Sequence, residues 1–331
     1  MRNCENKPIL IVSLDFELFW GMQDRCQLAD YQENVLGGRR AIPRLLSLFE
    51  RYGIHATWAT VGFMFADSLE ELKQVLPDDV HRPSYKNTQL SPYPLLGHIG
   101  EDEEKAPCFF APSLIRLVSE TPGQEIGSHT FSHYYCREPG QTIEQFRADM
   151  KTAVTFAKKK GYTLKSLVFP RNQSRKEYID VLKELGFTSY REEENDWIHK
   201  RLNWCGVCVR RLFRLLDVYL PLSGSGGYVP SVQNGLVNLP GSRMYKPFFK
   251  PLAFMETVKI RRIKKQMLHA AQKGLVFHLW WHPHNIGVRT DFHLAQLNEI
   301  FQYYSKLREK YGMQSMNMGE AAELVKGKRN A

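Results

Sequence analysis

Two histidines four residues apart, His129 and His133 in GSHTFSHYYC, follow a short segment, Glu125–Gly127, centred on Ile126. If that segment is a strand ending in a helical turn, the i,i+4 spacing sets both imidazoles on one side of the turn, about one helical pitch apart. That disposition suits two legs of a tetrahedral metal site. Far upstream, Asp15 and Glu17 in SLDFELFWG stand two apart, so an extended backbone points both carboxylates the same way. A carboxylate that ends a run as apolar as PILIVSL is paired, metal-bound or solvated, because burying its charge bare is prohibitive.

One carboxylate and two histidines leave a coordination position open, where bound water is acidified to a pKa of about 7. A second carboxylate then takes the water's proton and a histidine across the pocket protonates the leaving group, each role typically worth about 10²–10⁴-fold. His282 in WWHPHN, at the end of its strand, is the first candidate for that acid and His284 the second. His278 lies deeper on the same strand and reads as a core histidine. Arg171 in FPRNQ is placed to pair with the base carboxylate and orient it, a surface ion pair being the rival reading. Asp196 and Trp197 in ENDW are candidates for the pocket rim.

These residues need elements that bring them together. Pro8–Leu14 is the kind of apolar run buried on both faces of a parallel sheet. Gly37–Tyr52 has helical spacing and a stop at Gly53; His55–Val61 reads as a strand and Ser68–Leu76 as a helix. Helices are expected at Pro112–Glu120, Thr142–Lys160 and Arg175–Leu185, with strands at Ser166–Pro170 and Thr188–Arg191. Leu275–His282 is the last strong strand, its even positions Val276, His278, Trp280 and His282 sharing a face. Asp291–Lys310 and Met318–Val325 close the chain as helices. Strands alternating with helices imply a mainly parallel sheet, open or closed into a barrel, with its chemistry at the carboxyl ends of strands. Every candidate above sits at such an end.

The 331 residues are 43% hydrophobic and 24% charged, with a net charge of +10. We read them as one catalytic domain with a core over 8–200 and 273–325, a functional lid at 77–107 and a basic amphipathic insertion at 201–272. No secretory h-region follows the first charges and no apolar run reaches 18 residues, so export and membrane spanning are not expected. Six scattered cysteines fit a reducing cytosol. The single CxxC, Cys205–Cys208, lacks the second pair that a zinc module needs. The basic residues build no nucleic-acid-binding signature. Two basic stretches, Val209–Leu220 and Lys246–Lys265, instead suggest peripheral contact with an anionic membrane, against the simpler reading of packed surface helices.

The order D-x-E, then SHTFSH, then a proline–arginine strand end, then a strand ending in His-Pro resembles the polysaccharide deacetylase family, the carbohydrate esterases with a NodB-type domain. The resemblance implies a distorted (β/α) barrel of about seven parallel strands and a divalent metal, zinc by preference. It implies hydrolysis of an N-acetyl, or formyl, group on an amino sugar. Carried over, Asp15 is the general base, Glu17 with His129 and His133 the metal ligands, Arg171 the tether of the base and His282 the acid. The family's usual first motif has two adjacent aspartates, whereas Phe16 separates Asp15 from Glu17 here, so the two carboxylates can exchange roles. PRNQ likewise departs from the usual third motif. These features look like enzymes of surface-polysaccharide biosynthesis acting in the cytoplasm on polyprenyl-phosphate-linked sugars. Two other classes stay open: an inactive carbohydrate-binding protein on the same fold, and a metal-independent glycosidase using Asp15 and Glu17.

Overall fold

In the computed structural model, which describes residues 7–192 and 207–330, the apolar run at the start becomes the central strand β1 (Ile9–Phe16), buried along its whole length. The chain continues through α1 (Leu28–Tyr52), β2 (Ala56–Thr60), α2 (Leu69–Val75), α3 (Pro112–Glu120), β3 (Gln124–Ser128) and α4 (Ile143–Lys159). Thr142 and Gln145 form a reciprocal capping box that starts α4 where the sequence predicts it. Next come β4 (Ser166–Val168), α5 (Lys176–Glu184), β5 (Ser189–Arg191), α6 (Val207–Tyr219), β6 (Ser231–Gln233), β7 (Leu236–Asn238) and β8 (Arg243–Met244). The last elements are α7 (Glu256–Lys273), β9 (Val276–Trp281), α8 (Thr290–Tyr311), β10 (Gln314–Met316) and α9 (Met318–Asn330).

The ten strands of the described residues form one sheet in the order β6-β7-β5-β4-β3-β2-β1-β9-β8, with β10 beside the start of β1. Every pairing is parallel except β6 with β7. The protein therefore has the mainly parallel α/β sheet that the resemblance implies. Among the described residues its hydrogen-bonded ladder is not closed, but the chain carries one end to the other. Leu239 donates its amide to Tyr190 of β5, and Ser242 donates to His278 of β9, so only Pro240 and Gly241 separate the two sides. This corrects the expected extent of the core. Residues 201–272 are not wholly an insertion, since β7 and β8 lie within the sheet.

The curl sorts side chains by the two-residue strand period. Leu10, Val12, Leu14 and Phe16 face the outer helices, whereas Ile9 and Ile11 join Ala59, Val168, Val237 and Val276 in a smaller inner cluster. Met318, Ala321 and Ala322 of α9 pack into that inner cluster. Above this apolar floor the same inner row of β1 becomes polar, first Ser13, then Asp15. A separate cavity of about 360 Å³ lies near the amino ends of β3 and β4, where Gln124, Glu125 and Glu320 are among its lining residues. Glu125 there is satisfied by Thr57, Ser166 and the Gly319 amide, and Glu320 by His55.

Candidate active site at the carboxyl ends of the strands

Glu17, one residue beyond β1, meets the histidine pair at the end of β3. Its Oε2 lies 2.8 Å from His133 Nε2 and 3.3 Å from His129 Nε2. All three residues are buried, and each offers a ligand atom within 4.8 Å of the others. His129 Nδ1 donates to the Val168 carbonyl at 2.8 Å, which leaves the bare lone pair of Nε2 facing the carboxylate. That Nε2 is buried without a hydrogen-bond partner, so two electron-rich atoms converge with nothing between them. A cation resolves the conflict. Ligand atoms about 2.0–2.1 Å from a tetrahedral ion stand roughly 3.3 Å apart, close to the spacing of Glu17 and His129.

The loop between the histidines is shaped from beneath. Thr130 and His133 both hold left-handed backbone conformations, with φ of 64° and 57°. Asp149, fully buried on α4, accepts the Phe131 amide at 2.8 Å, the Ser132 amide at 3.1 Å and the Ser132 hydroxyl. Burial pushes the Asp149 carboxyl up to about 6, against the lowering effect of those donors. Gly21 makes room on the other side. A Cβ there would stand 2.8 Å from the Glu17 carboxylate.

Asp15 is the second carboxylate, and its ion pairs are with Arg191 and His282, whereas Glu17 meets the histidine pair. Its Oδ2 accepts from Arg191 Nη2 at 2.7 Å, and its Oδ1 is buried without a partner. Burial raises its carboxyl, but Arg191 and His282 outweigh that and hold it below the usual carboxylate range. Glu17 is driven up by burial too, and His282 and His133 bring it well below. His282 faces both acids, with Nε2 3.7 Å from Asp15 and 3.6 Å from Glu17. Its Nδ1 lies 3.3 Å from the Asn285 amide nitrogen, an arrangement that keeps the Nε2 proton toward the acids.

His284, the second candidate for the acid, is buried and stacked on His282 with ring centres 5.0 Å apart. With Glu17 and His282 it makes a second three-residue grouping of ligand type. His278 is a core histidine: it accepts from Ser13 at Nε2 and donates through Nδ1 to the Leu239 carbonyl.

The arginine is a correction. Arg171 does not reach Asp15; its guanidinium pairs with both oxygens of Asp24 at 2.6 Å and lies over the Tyr135 ring. Arg171 and Asn172 both turn left-handed after β4, with φ of 54° and 52°, which carries the side chain outward along the rim. Arg191 takes the inner place. From the end of β5 it contacts Ser13, Asp15 and Asn172 and stacks on Trp280. The sequence marked Arg191 only as a strand-end residue, closing the expected strand Thr188–Arg191 and sharing a face with Ser189, and did not show which acid it meets. Asp196, Trp197 and Cys205 lie outside the described residues.

Residues 34–190 match the family model described as polysaccharide deacetylase. That stretch takes in the histidine loop; Asp15, Glu17 and His282 flank it. Among solved structures the chain is similar to a putative polysaccharide deacetylase from Mycobacterium smegmatis, at 16% identity and a TM-score of 0.61, covering 99% of this chain and 94% of that one. A probable polysaccharide deacetylase from Pseudomonas aeruginosa PAO1 is 13% identical with a TM-score of 0.56, over 97% of this chain and 94% of the other. PuuE allantoinase is 14% identical, also at 0.56, over 97% and 93%. At such identities the likeness is one of fold. No curated protein matches the chain. The family model thus falls on the stretch that holds the histidine loop, and around it the chain shares its fold with solved structures described as polysaccharide deacetylases.

Proposed function

We propose that the protein is a metal-dependent hydrolase that removes an N-acetyl group, or a formyl group, from an amino sugar used in cell-surface polysaccharide or lipid-linked glycan synthesis. The observation that carries this reading is the convergence on one mouth of Glu17 with His129 and His133, Asp15 with Arg191, and His282. Two imidazoles and a carboxylate suit zinc, which when bound polarises an amide carbonyl and acidifies water. Asp15, with Oδ2 held by Arg191 and Oδ1 unpartnered, takes the proton from the attacking water. His282 donates its Nε2 proton to the departing amine. Arg191 keeps the base ionised and aimed.

The whole chain acts as one catalytic unit in this reading, with 77–107 as a wall or lid. Support comes from Tyr85, whose hydroxyl accepts the Tyr135 amide, and from Leu90, whose carbonyl accepts from Gln23 next to the Glu17 loop. No helix of the described residues is long and apolar enough to cross a membrane. A cytoplasmic enzyme working at the inner membrane face, on sugars carried by polyprenyl phosphate, agrees with the net charge of +10.

The test is mass spectrometry of sugar nucleotides and lipid-linked glycans incubated with the zinc-loaded protein. Metal-assisted hydrolysis appears as a loss of about 42 mass units for acetyl or about 28 for formyl. The protein should retain a divalent cation that His129→Ala/His133→Ala loses, and Asp15→Asn should slow release by about 10²–10⁴-fold. A chain that holds the cation and binds acetylated glycans yet releases no acid would be the carbohydrate-binding protein instead.

A further inference from the structure

The helix α6 leaves an apolar stripe facing water. A surface helix normally turns its apolar stripe inward and its charges to water. In α6 and the residue after it, Val209, Leu212, Leu216 and Leu220 share one face at helical spacing, and they are 43%, 54%, 38% and 44% exposed. Leu215 flanks the stripe and is 36% exposed. The inward side carries a charge beside the buried Val218 and Tyr219. Asp217 is buried and accepts from Arg243 at 2.6 Å and from Arg262 of α7 at 2.7 Å. This ion cluster fixes the rotation of the helix about its axis, so the outward leucines are a consequence of how α6 is anchored. Two aromatic side chains, Phe249 and Phe254, are also exposed, at 45% and 77%, on either side of exposed Lys250.

We infer that this apolar face is a docking surface for an anionic phospholipid bilayer, lying in the interface without crossing it. A helix of 13 residues is about 20 Å long, short of the ~30 Å hydrocarbon core but suited to lying flat. The charge of the segment names the kind of surface. Residues 207–255 hold six Lys or Arg and one acid, Asp217, so this part of the chain supplies five of its ten net positive charges. Leucines that enter the acyl boundary, set in a basic segment that attracts the headgroups, are the two components of reversible interfacial binding. The basic helix α7 contributes differently from what its sequence suggests. Lys259 and Arg262 are turned inward, to Glu256 and Asp217, and only residues such as Arg261 and Lys265 face out. The inference goes beyond the proposed reaction and does not depend on it.

Flotation of the full-length protein with vesicles of phosphatidylcholine, with and without phosphatidylglycerol, tests it. The protein should float with the anionic vesicles at low salt, bind them at least tenfold less at high salt, and stay below with phosphatidylcholine alone. Leu212→Asp/Leu216→Asp should reduce flotation at least tenfold while keeping the melting temperature, because both side chains already face water. A milder Leu212→Ser/Leu216→Ser pair covers the case in which the first fails to fold. Failure to float with anionic vesicles, or undiminished flotation of the folded variants, overturns the inference. So does light scattering that shows a dimer abolished by these substitutions, for then a second copy covers the face. Acyl release from a water-soluble amino sugar is measured alongside. A variant that no longer floats but keeps that rate supports the docking surface, whereas a protein that floats and releases nothing counts against the proposed reaction alone.

Discussion

Arg191 and Arg171 both follow a strand, yet the positions of their partners give them opposite importance. Arg191 is fully buried against Ser13, Asp15 and Trp280, whereas Arg171 pairs with Asp24 at the rim. Arg191→Gln removes the cation that opposes burial at Asp15. The carboxyl then rises, and the acid limb of the pH profile of kcat/KM should move to higher pH. The same variant leaves a buried carboxylate unpaired, an expected cost of about 3–5 kcal/mol in urea unfolding. Arg171→Gln should leave the acid limb in place. The reverse pattern would return the tether to Arg171. The residue types of this site were readable from spacing alone, but which arginine serves which acid was not. Both are strand-end arginines, and the left-handed turn at Arg171 that separates them has no signature in PRNQ.

At the scale of elements, the histidine pair depends on a loop that does not hold itself. Two non-glycine left-handed residues cost roughly 1–3 kcal/mol each and persist only where their surroundings over-determine them. Asp149 on α4 does this by accepting two successive amides between the histidines. Asp149→Ala should lower stability by about 1–3 kcal/mol through those unpaired amides. It should also let a chelator strip the cation faster than from the parent, read by elemental analysis after dialysis. Unchanged cation retention would reduce Asp149 to a stabilising role. The first element after β1 carries a similar dependence. The sequence pattern starts a helix at Gly37, but α1 begins at Leu28 and runs through both glycines. At Gly38 a Cβ would stand 2.9 Å from His284 Cα, so the glycine that weakens the helical pattern is what lets α1 close on the His282–His284 turn.

For the molecule as a whole, enclosure of so many polar groups makes stability depend on pH. His278 lies in the interior and His293 under Tyr245, and burial lowers their pKa from 6.5 to about 3 and about 4, helped by Arg191 at the first and Lys259 and Arg289 at the second. Both are neutral when folded. Above pH 6.5 neither state takes a proton; below it the unfolded chain does while the folded one cannot, so stability falls as pH drops from 6.5 towards 4. Each histidine adds a slope of up to about 1.4 kcal/mol per pH unit. Urea unfolding of the metal-free protein between pH 7 and 4.5 should show this decline, and His278→Gln/His293→Gln should flatten it. An equal slope in parent and variant would mean that neither buried ring carries the effect.

Local pattern was enough for the strand and helix rhythm and for the cluster of acids and histidines at strand ends, because periodicity and residue chemistry are properties of neighbouring residues. The strands β6, β7, β8 and β10 were not legible: each is two or three residues long and lies outside the strand–helix alternation that marks the equally short β4 and β5, held in place by partners already positioned. Three outcomes belonged to tertiary structure alone. They are the passage of the chain from β7 to β8 that joins the sheet's two ends, the choice of Arg191 as the partner of Asp15, and the outward rotation of α6. Each depends on contacts between segments far apart in the chain, where the geometry of the curled sheet, and not local preference, decides which side chains meet.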